Sequence, residues 1–277
     1  VKGANEWSGV IGYKRTRFAG NIRRNTATVI KEMKADVVGL VEVEGMKVME
    51  EFNRHQLARR FSQHLLIDSP NDPGGIDVGL YTAAPKLGRI RTHVFDRIGN
   101  RAIFSRDCLD VEIEIPGEKQ RLHVLMNHFK SKMGGDPPAA RKRRQGQAQR
   151  VADILGERFD LEKDWVIVAG DFNDTPDSMT LAPLLGVDGL YDAFDVAKTP
   201  ADERWTYAYK GSKNQIDFIL VSKALKPKVK TIEVLRRGMS FYANRKDPKV
   251  EPYPGITGRN NAASDHAALV VELAIGQ

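Results

Sequence analysis

The chain is poor in thiols: among 277 residues there is one cysteine, Cys108. A disulfide framework within the chain is therefore excluded. No Cys/His cluster has the spacing of a four-ligand zinc site, so any metal is expected to be held by oxygen and imidazole. There is also no run of about 18 apolar residues, which argues against a membrane-spanning helix and for a soluble chain. The opening Val1-Lys2-Gly3-Ala4-Asn5 lacks the charged and apolar regions of a secretion signal. Repeats, low-complexity blocks and long Gly/Ser linkers are missing as well, and turn-rich stretches are spread evenly. The expectation is one domain over residues 1–277, large enough to bury a core without staples.

What is present is positive charge and alternation. Lys and Arg number 43 against 36 Asp and Glu, a net charge of +7 with a pI near 9.4. That balance favours polyanionic partners and is equally the signature of a solvated basic surface. Ile22, Thr26, Val29, Ile30 and Met33 recur at helical spacing, and Asp36 to Val43 is a β-branched run suited to a buried strand. Met49, Phe52, Leu57, Phe61 and Leu65 predict further helix. Asp77 to Thr82, Leu109 to Ile115, Arg121 to Phe129, Trp165 to Ala169, Gln215 to Ser222 and Ala267 to Ile275 read as strands. Asp136 is placed to cap a helix that opens on Pro137 and Pro138, buries Ala148, Val151, Ala152 and Leu155, and shows solvent a basic face. The class is α/β or α+β with a substantial mixed sheet.

Four polar segments interrupt the apolar strands: Glu42 and Glu44, Asn127-His128, Asp171 with Asn173, and Asp265-His266. A lone carboxylate or histidine at a strand end is usually a satisfied structural group. Four such segments with complementary chemistry point elsewhere. Hard cations are bound by carboxylate oxygens, and phosphoryl chemistry uses an acid, a base and an oriented nucleophile.

Leu40-Val41-Glu42, Asn127-His128-Phe129-Lys130-Ser131-Lys132, Gly170-Asp171-Phe172-Asn173-Asp174-Thr175-Pro176, Ile216-Asp217-Phe218-Ile219-Leu220 and Ser264-Asp265-His266 follow one another in the order found in the endonuclease/exonuclease/phosphatase superfamily. The chain resembles that superfamily over nearly its whole length, and is most similar to its secreted bacterial nuclease branch. The resemblance implies a four-layer fold, DNase I-like, in which two packed mixed sheets are flanked by helices and strand ends converge on a metal-dependent phosphoesterase site. It implies Glu42 and Asp265 at the metal, with Mg²⁺ expected and Mn²⁺ or Ca²⁺ as substitutes. Asp171 and Asn173 match the pair that handles the attacking water and the scissile phosphate. His266 matches the catalytic histidine, Asp217 the carboxylate that orients it, and His128 the second histidine.

Each of these has a plainer reading beside it. Asp171 and Asn173, on one face by alternation, also suit an Asx turn before Pro176. His128 shares a face with Leu122, Val124 and Met126, as a core histidine would. Glu44 shares the Glu42 face and is either a support or a solvated strand end. Lys130, Lys132, Arg141, Lys142, Arg143, Arg144 and Arg150 are either a solvated face or a track for a nucleic-acid backbone. Within that group, Lys130, Lys132 and Arg144, with Asn127, are the residues expected to touch substrate. Trp205, Tyr207 and Tyr209 suit strand packing better than base stacking. Superfamily members open with a strand carrying an Asn at the site, for which Asn5 is the nearby candidate. The segment Met239 to Asn261 reads as a long loop able to close over substrate.

The reaction expected is Mg²⁺-dependent hydrolysis of nucleic acid, most simply a DNA endonuclease of low sequence specificity. The alternatives are a phosphatase of inositol phosphates or a sphingomyelinase-type phosphodiesterase on the same fold, and an inactive nucleic-acid-binding protein. The expected form is a monomer without membrane docking; secretion is suggested by the branch resemblance.

Overall fold

The computed structural model describes residues 21–72, 74–84, 86–209, 211–240 and 250–276. Asn5 lies outside the described residues. Along the chain run α1 (Asn21–Met33), β1 (Val37–Val43), α2 (Met46–His55), β2 (Gln63–Leu66), β3 (Asp77–Thr82), β4 (Leu87–Arg91), β5 (Arg97–Ile98) and β6 (Arg101–Ala102). Next come β7 (Cys108–Glu114), β8 (Arg121–His128), α3 (Pro138–Arg158), β9 (Trp165–Asp171), α4 (Ala182–Leu185), β10 (Leu190–Asp192) and α5 (Ala193–Val196). The last elements are β11 (Tyr207–Tyr209), β12 (Ser212–Asn214), β13 (Asp217–Ser222), β14 (Val229–Leu235) and β15 (Ala268–Leu273).

A six-stranded sheet, β10-β13-β9-β8-β7-β4, faces a three-stranded sheet, β1-β3-β2. In the larger sheet β8 and β9 are parallel and the other neighbours antiparallel, so it is mixed. Period-two alternation sends one row of each strand into the layer between the sheets: Val78 and Leu80 of β3 meet Leu122, Val124 and Met126 of β8 and Ile167 of β9. The paired strands β14 and β15 add Val229 and Leu273 to the same layer. The opposite row of the larger sheet, with Leu125, Val166 and Val168, packs under Ala148, Val151, Ile154 and Leu155 of α3. On the far side, Ala27 and Ile30 of α1 and Met49 of α2 cover Val38 and Tyr81 of the smaller sheet. Helix, sheet, sheet, helix is the four-layer arrangement expected.

Gly39 allows the two sheets to approach. A Cβ built there would overlap the sulfur and methyl of Met126, so a side chain at position 39 would displace the end of that methionine from the layer between the sheets.

Three local expectations are corrected. Leu65 is in strand β2, not in a helix: α2 stops at His55, and Ala58 and Arg59 take left-handed backbone conformations that helix cannot continue through. Asp136 does not cap α3; the cap position is Pro137, and Asp136 instead receives the Arg144 guanidinium at 3.0 Å. Within the Met239–Asn261 segment, Tyr253 and Ile256 are buried with Val29 of α1, so this part of the expected lid is packed down.

Candidate active site

Adjacent strands bring the site together by register. In the parallel β8/β9 pair His128 lies beside Asp171, and in the antiparallel β13/β9 pair Asp171 lies beside Asp217. Three functional groups distant in sequence thus occupy one row across three strands. His266 joins from the segment before β15, where a bridge to Tyr207 and the Ala267 N–H donating to the Thr206 carbonyl at 2.7 Å fix the backbone. Its Nδ1 lies 2.9 Å from Asp217 Oδ2. The hydroxyl of fully buried Thr206 accepts from the Ile216 and Asp217 N–H groups, both at 3.1 Å, and so holds the strand that carries Asp217.

The glycine before Asp171 is required by close approach. Gly170 has φ 134°, and a Cβ there would run into the Asn127 carbonyl oxygen. No other residue allows β8 and β9 to approach so closely at the catalytic end. Phe172 then turns to the helix side and stacks between Phe129 and Phe218, with ring centroids 4.8 Å apart on each side. This stack locks the end of β9. Asn173 returns to the Asp171 side because its backbone is left-handed (φ 55°), and not by strand alternation, since β9 has already ended. Its N–H donates to Asp171 Oδ1 at 2.8 Å, and its side-chain amide donates to Asp171 Oδ2 at 3.0 Å and to the Phe129 carbonyl at 3.1 Å. The Asx turn and the site pairing are one structure.

Glu42 is reached by a similar irregularity. The β1/β3 register shifts between Leu40 and Val43, an extra residue in β1, and Glu42 sits there with φ 60°. A bulge re-aims a side chain, and it breaks the alternation by which Glu42 and Glu44 were expected to share a face. Glu42 is exposed yet its charge raises the Asp171 pKa, so the two carboxylates face one electrostatic centre. Asp265, also exposed, acts in the same way on His266.

Charge is divided sharply at this centre. Burial is the largest influence on Asp171 and pushes its pKa up; Asp217 pushes the same way, while His266 and the Asn173 N–H oppose. For His266 burial works against the charged form but is overcome by Asp217, Asp171 and Asp265, and the pKa rises to about 10. His128 is the opposite case. It is almost fully buried, and desolvation, with Arg106, His266 and Lys130 nearby, depresses it to about 3. Its Nε2 is 3.7 Å from Asp171 Oδ2, beyond hydrogen-bond length, and its Nδ1 has no partner. The surroundings thus favour the charged form of one imidazole and the neutral form of the other.

Asp171, Asp217 and His266 offer atoms within 4.8 Å of one another, a grouping compatible with a metal ion. His266 Nδ1 faces Asp217 at 2.9 Å, and the surrounding carboxylates favour its charged form, in which the imidazole has no lone pair to offer a metal. Glu42 and Asp265 are not part of this grouping; both are exposed and bear on it through the charge they add at Asp171 and at His266.

The expected basic track is largely dismantled. Arg144 is fully buried: its Nε donates to Asp174 at 2.9 Å, Nη1 to the Lys130 carbonyl at 2.9 Å and Nη2 to Asp136 at 3.0 Å. It joins the loops after β8 and β9 and does not reach substrate from the surface. Asn127 is likewise withdrawn, pointing away from His128 with its amide on the Leu125 carbonyl at 3.1 Å. Lys132 is ion-paired with Asp174, while Lys130 influences His128. Arg143 and Arg150 hold the β5–β6 region, through the Ala102 and Ile103 carbonyls and through Asp96. Arg141 and Lys142 are exposed. Trp205 packs with Met239 and Ala267, as expected for packing, and the Tyr207 ring lies 4.8 Å from that of His266.

Arg106 was missed by sequence reading. It is 8% exposed, its Nε and Nη1 have no hydrogen-bond partner, it approaches the Asp72 carboxylate only to 3.6 Å, and its charge acts on His128. Only its place two residues before β7, across from the His128 end of β8, hinted at this.

A family model described as "Endonuclease/Exonuclease/phosphatase family" matches residues 3–274. The chain belongs to this family. Its members are typically hydrolases of phosphoester bonds that depend on divalent metal ions. Among solved structures, the chain is similar to truncated Caenorhabditis elegans TDP2, with a TM-score of 0.62 and 17% identity over 91% of this chain and 90% of that one. D. rerio TDP2 complexed with single-strand DNA product gives 0.63 and 17% over 91% of each chain. An endonuclease/exonuclease/phosphatase family protein from Leptotrichia buccalis gives 0.60 and 17% over 91% and 92%. These likenesses establish the shared fold. No curated protein matches the sequence. Among the described residues, no helix is long and apolar enough to cross a membrane.

Proposed function

We propose that this protein is a divalent-cation-dependent phosphodiesterase of nucleic acid, with endonucleolytic cleavage of DNA at low sequence specificity as its activity. The observation that carries the reading is the Asp171–Asp217–His266 cluster, three groups within 4.8 Å at one end of the large sheet, with Asn173 bonded to Asp171. Glu42 and Asp265 would hold Mg²⁺, which when bound supplies positive charge to a phosphate oxygen. Mn²⁺ and Ca²⁺ suit the same oxygen donors.

Asp171 takes the proton of the attacking water. Its elevated pKa makes it a stronger base once ionised, and Asn173 fixes which oxygen is presented. His266, kept charged by Asp217, donates to a non-bridging phosphate oxygen as negative charge builds there. His128, neutral in its buried position, donates its ring N–H to a phosphate oxygen or to the departing oxygen. Arg106, ion-paired with Asp72 at 3.6 Å but with no hydrogen bond on Nε or Nη1, suits a second hold on the phosphate, because a buried guanidinium gains from the hydrogen bonds an anion offers. The net charge of +7 favours a long polyanion over a small phosphoester.

The test is a substrate panel of supercoiled plasmid, RNA, inositol phosphates and sphingomyelin, each with Mg²⁺, with Mn²⁺ and with EDTA. Nicking of plasmid that EDTA abolishes is the expected result. Turnover confined to inositol phosphates or sphingomyelin would replace the nuclease reading with a small-substrate one; binding of DNA without turnover in either cation would mark a non-catalytic protein.

A further inference from the structure

We propose that the β5–β6 hairpin is a duplex-gripping tip, with Phe95 and Ile98 entering the minor groove of double-stranded nucleic acid and Arg97 and Arg101 resting on the phosphates that flank it. The proposal rests on the nucleic-acid reading above and adds to it a place and a mode of engagement.

The first observation is exposure where folding gives no reason for it. Phe95 is 69% and Ile98 65% exposed, within three residues of each other. Scattered exposed apolar groups are common on any surface; here Phe95 lies in the turn that leads into the hairpin and Ile98 within it, three residues apart. Their neighbours in sequence are buried: Val94 precedes them, and Ile103 and Phe104 follow into the core.

The second observation is rigidity. The hairpin pairs Arg97 with Ala102 and Ile98 with Arg101 around Gly99, whose φ of 56° makes the tight reversal. At its base Asp96 is held between His93 Nδ1 at 3.1 Å and Arg150 Nε at 2.6 Å, and the Ile103 N–H returns to the Asp96 carbonyl at 2.9 Å. Arg143 donates to the Ala102 and Ile103 carbonyls, both at 3.3 Å. A Cβ on Gly146 would be 3.7 Å from the Ile98 methyl, so the tip lies on α3 where that helix carries no side chain. A mobile apolar loop would lose entropy on binding; this one is already ordered.

Charge selects the partner. The one acid of the hairpin segment, Asp96, is neutralised by Arg150, which leaves Arg97 and Arg101 as its charges. Arg97 and Arg101 are both at the exposed tip. Apolar wedges flanked by arginine match the minor groove, where side chains such as Phe and Ile part base steps while arginine answers the concentrated negative potential. The hairpin also sits at the correct end. The segment that carries it runs into Cys108, which pairs with Asn127 next to His128, and α3 beneath it is tied by Arg144 to the loop after His128.

The test compares the wild type with the double variant Phe95→Ser/Ile98→Ser and with Arg97→Ala/Arg101→Ala. Readouts are duplex cleavage, hydrolysis of bis(p-nitrophenyl) phosphate, and fluorescence of 2-aminopurine in a duplex bound under EDTA. The serine variant should raise KM for duplex about tenfold or more, which corresponds to about 1.4 kcal/mol of binding. It should abolish the 2-aminopurine brightening and leave small-diester hydrolysis and single-strand cleavage unchanged. Unchanged small-diester hydrolysis also proves that the variant folds. The alanine variant should lower the slope of log affinity against log salt by about 0.9 for each phosphate that is no longer neutralised. Unchanged duplex KM and brightening in the serine variant would overturn the tip while leaving the nuclease reading intact. A tip that instead binds phosphatidylserine vesicles, with duplex cleavage untouched by the serine changes, would overturn it in favour of a membrane surface. A wild type that cleaves and binds no nucleic acid would remove both readings together.

Discussion

The two ends of the six-stranded sheet both carry charged side chains and treat them in opposite ways. At the end where β8 and β9 finish, Asp171, Asp174, Arg144, Arg106 and His128 are buried, and Arg106 and His128 retain ring or guanidinium nitrogens without a partner. At the other end, Arg121 bridges Glu112 and Glu114 of β7 near solvent, and Lys86 reaches Glu114 at 3.2 Å. Water compensates the second set, so losing a partner there costs little. Nothing compensates the first set except the protein, which is why desolvation heads the influences on Asp171 and His128. Buried polar atoms without hydrogen-bond partners also occur elsewhere in this sheet, at Asp110 and His123, so what sets this end apart is that Asp171, Asp217 and His266 come within 4.8 Å of one another.

The sharpest way to break the comparison is Asp171→Ala. If this carboxylate serves catalysis rather than folding, plasmid nicking should fall by on the order of a thousandfold or more. Urea denaturation should show stability unchanged or raised, because a buried acid with an elevated pKa has been removed. A protein that loses stability and keeps activity would reverse the assignment.

Arg144→Met probes the same end from the structural side. It removes the buried cation shared by Asp174 and Asp136, leaving only Lys132 on the first and Arg141 on the second, and breaking a buried pair costs up to about 3–5 kcal/mol. Equilibrium unfolding should show that loss. Arg144→Lys should recover only part of it, because an ammonium cannot reproduce the fork to Asp174, Asp136 and the Lys130 carbonyl.

His128 gives a pH signature of intermediate size. Its folded pKa of about 3 lies below the unfolded value near 6.5. The unfolded chain therefore takes up the proton first, so this contribution to stability is complete above pH 6.5 and is lost progressively as the pH falls toward 3. Stability of His128→Gln should fall less steeply over that range. In the metal-free wild type, histidine NMR should find His266 still charged up to about pH 10, and Asp217→Asn should bring that titration down.

Much of this end was legible beforehand because apolar runs make strands visible and strand ends mark where polar groups emerge. β8, β9 and β13 were read to within a residue or two, and their register alone aligns His128, Asp171 and Asp217. What escaped was whatever depends on a break in period. Glu42 and Asn173 reach the centre through left-handed backbones, which no alternation rule foresees. Arg144 looked like one more cation on a basic helix; its burial is decided by Asp174 and Asp136, acids supplied by loops. Arg106 escaped for the complementary reason, since an isolated arginine before a strand carries no pattern.

The smallest expected effect belongs to the solvent end. Arg121 has side-chain exposure of 49% and meets two glutamates across the sheet. Its ion pairs are open to water and salt, and such pairs contribute little. Arg121→Ala should leave both the melting temperature and plasmid nicking unchanged, and raising the salt concentration should not separate the variant from the wild type in stability. A measurable fall in stability would mean that β7 and β8 depend on charge pairing at their solvent end, as Arg144 and Asp174 do at the other. The two ends would then differ in chemistry but not in mechanical importance, and burial alone would no longer account for the difference between them.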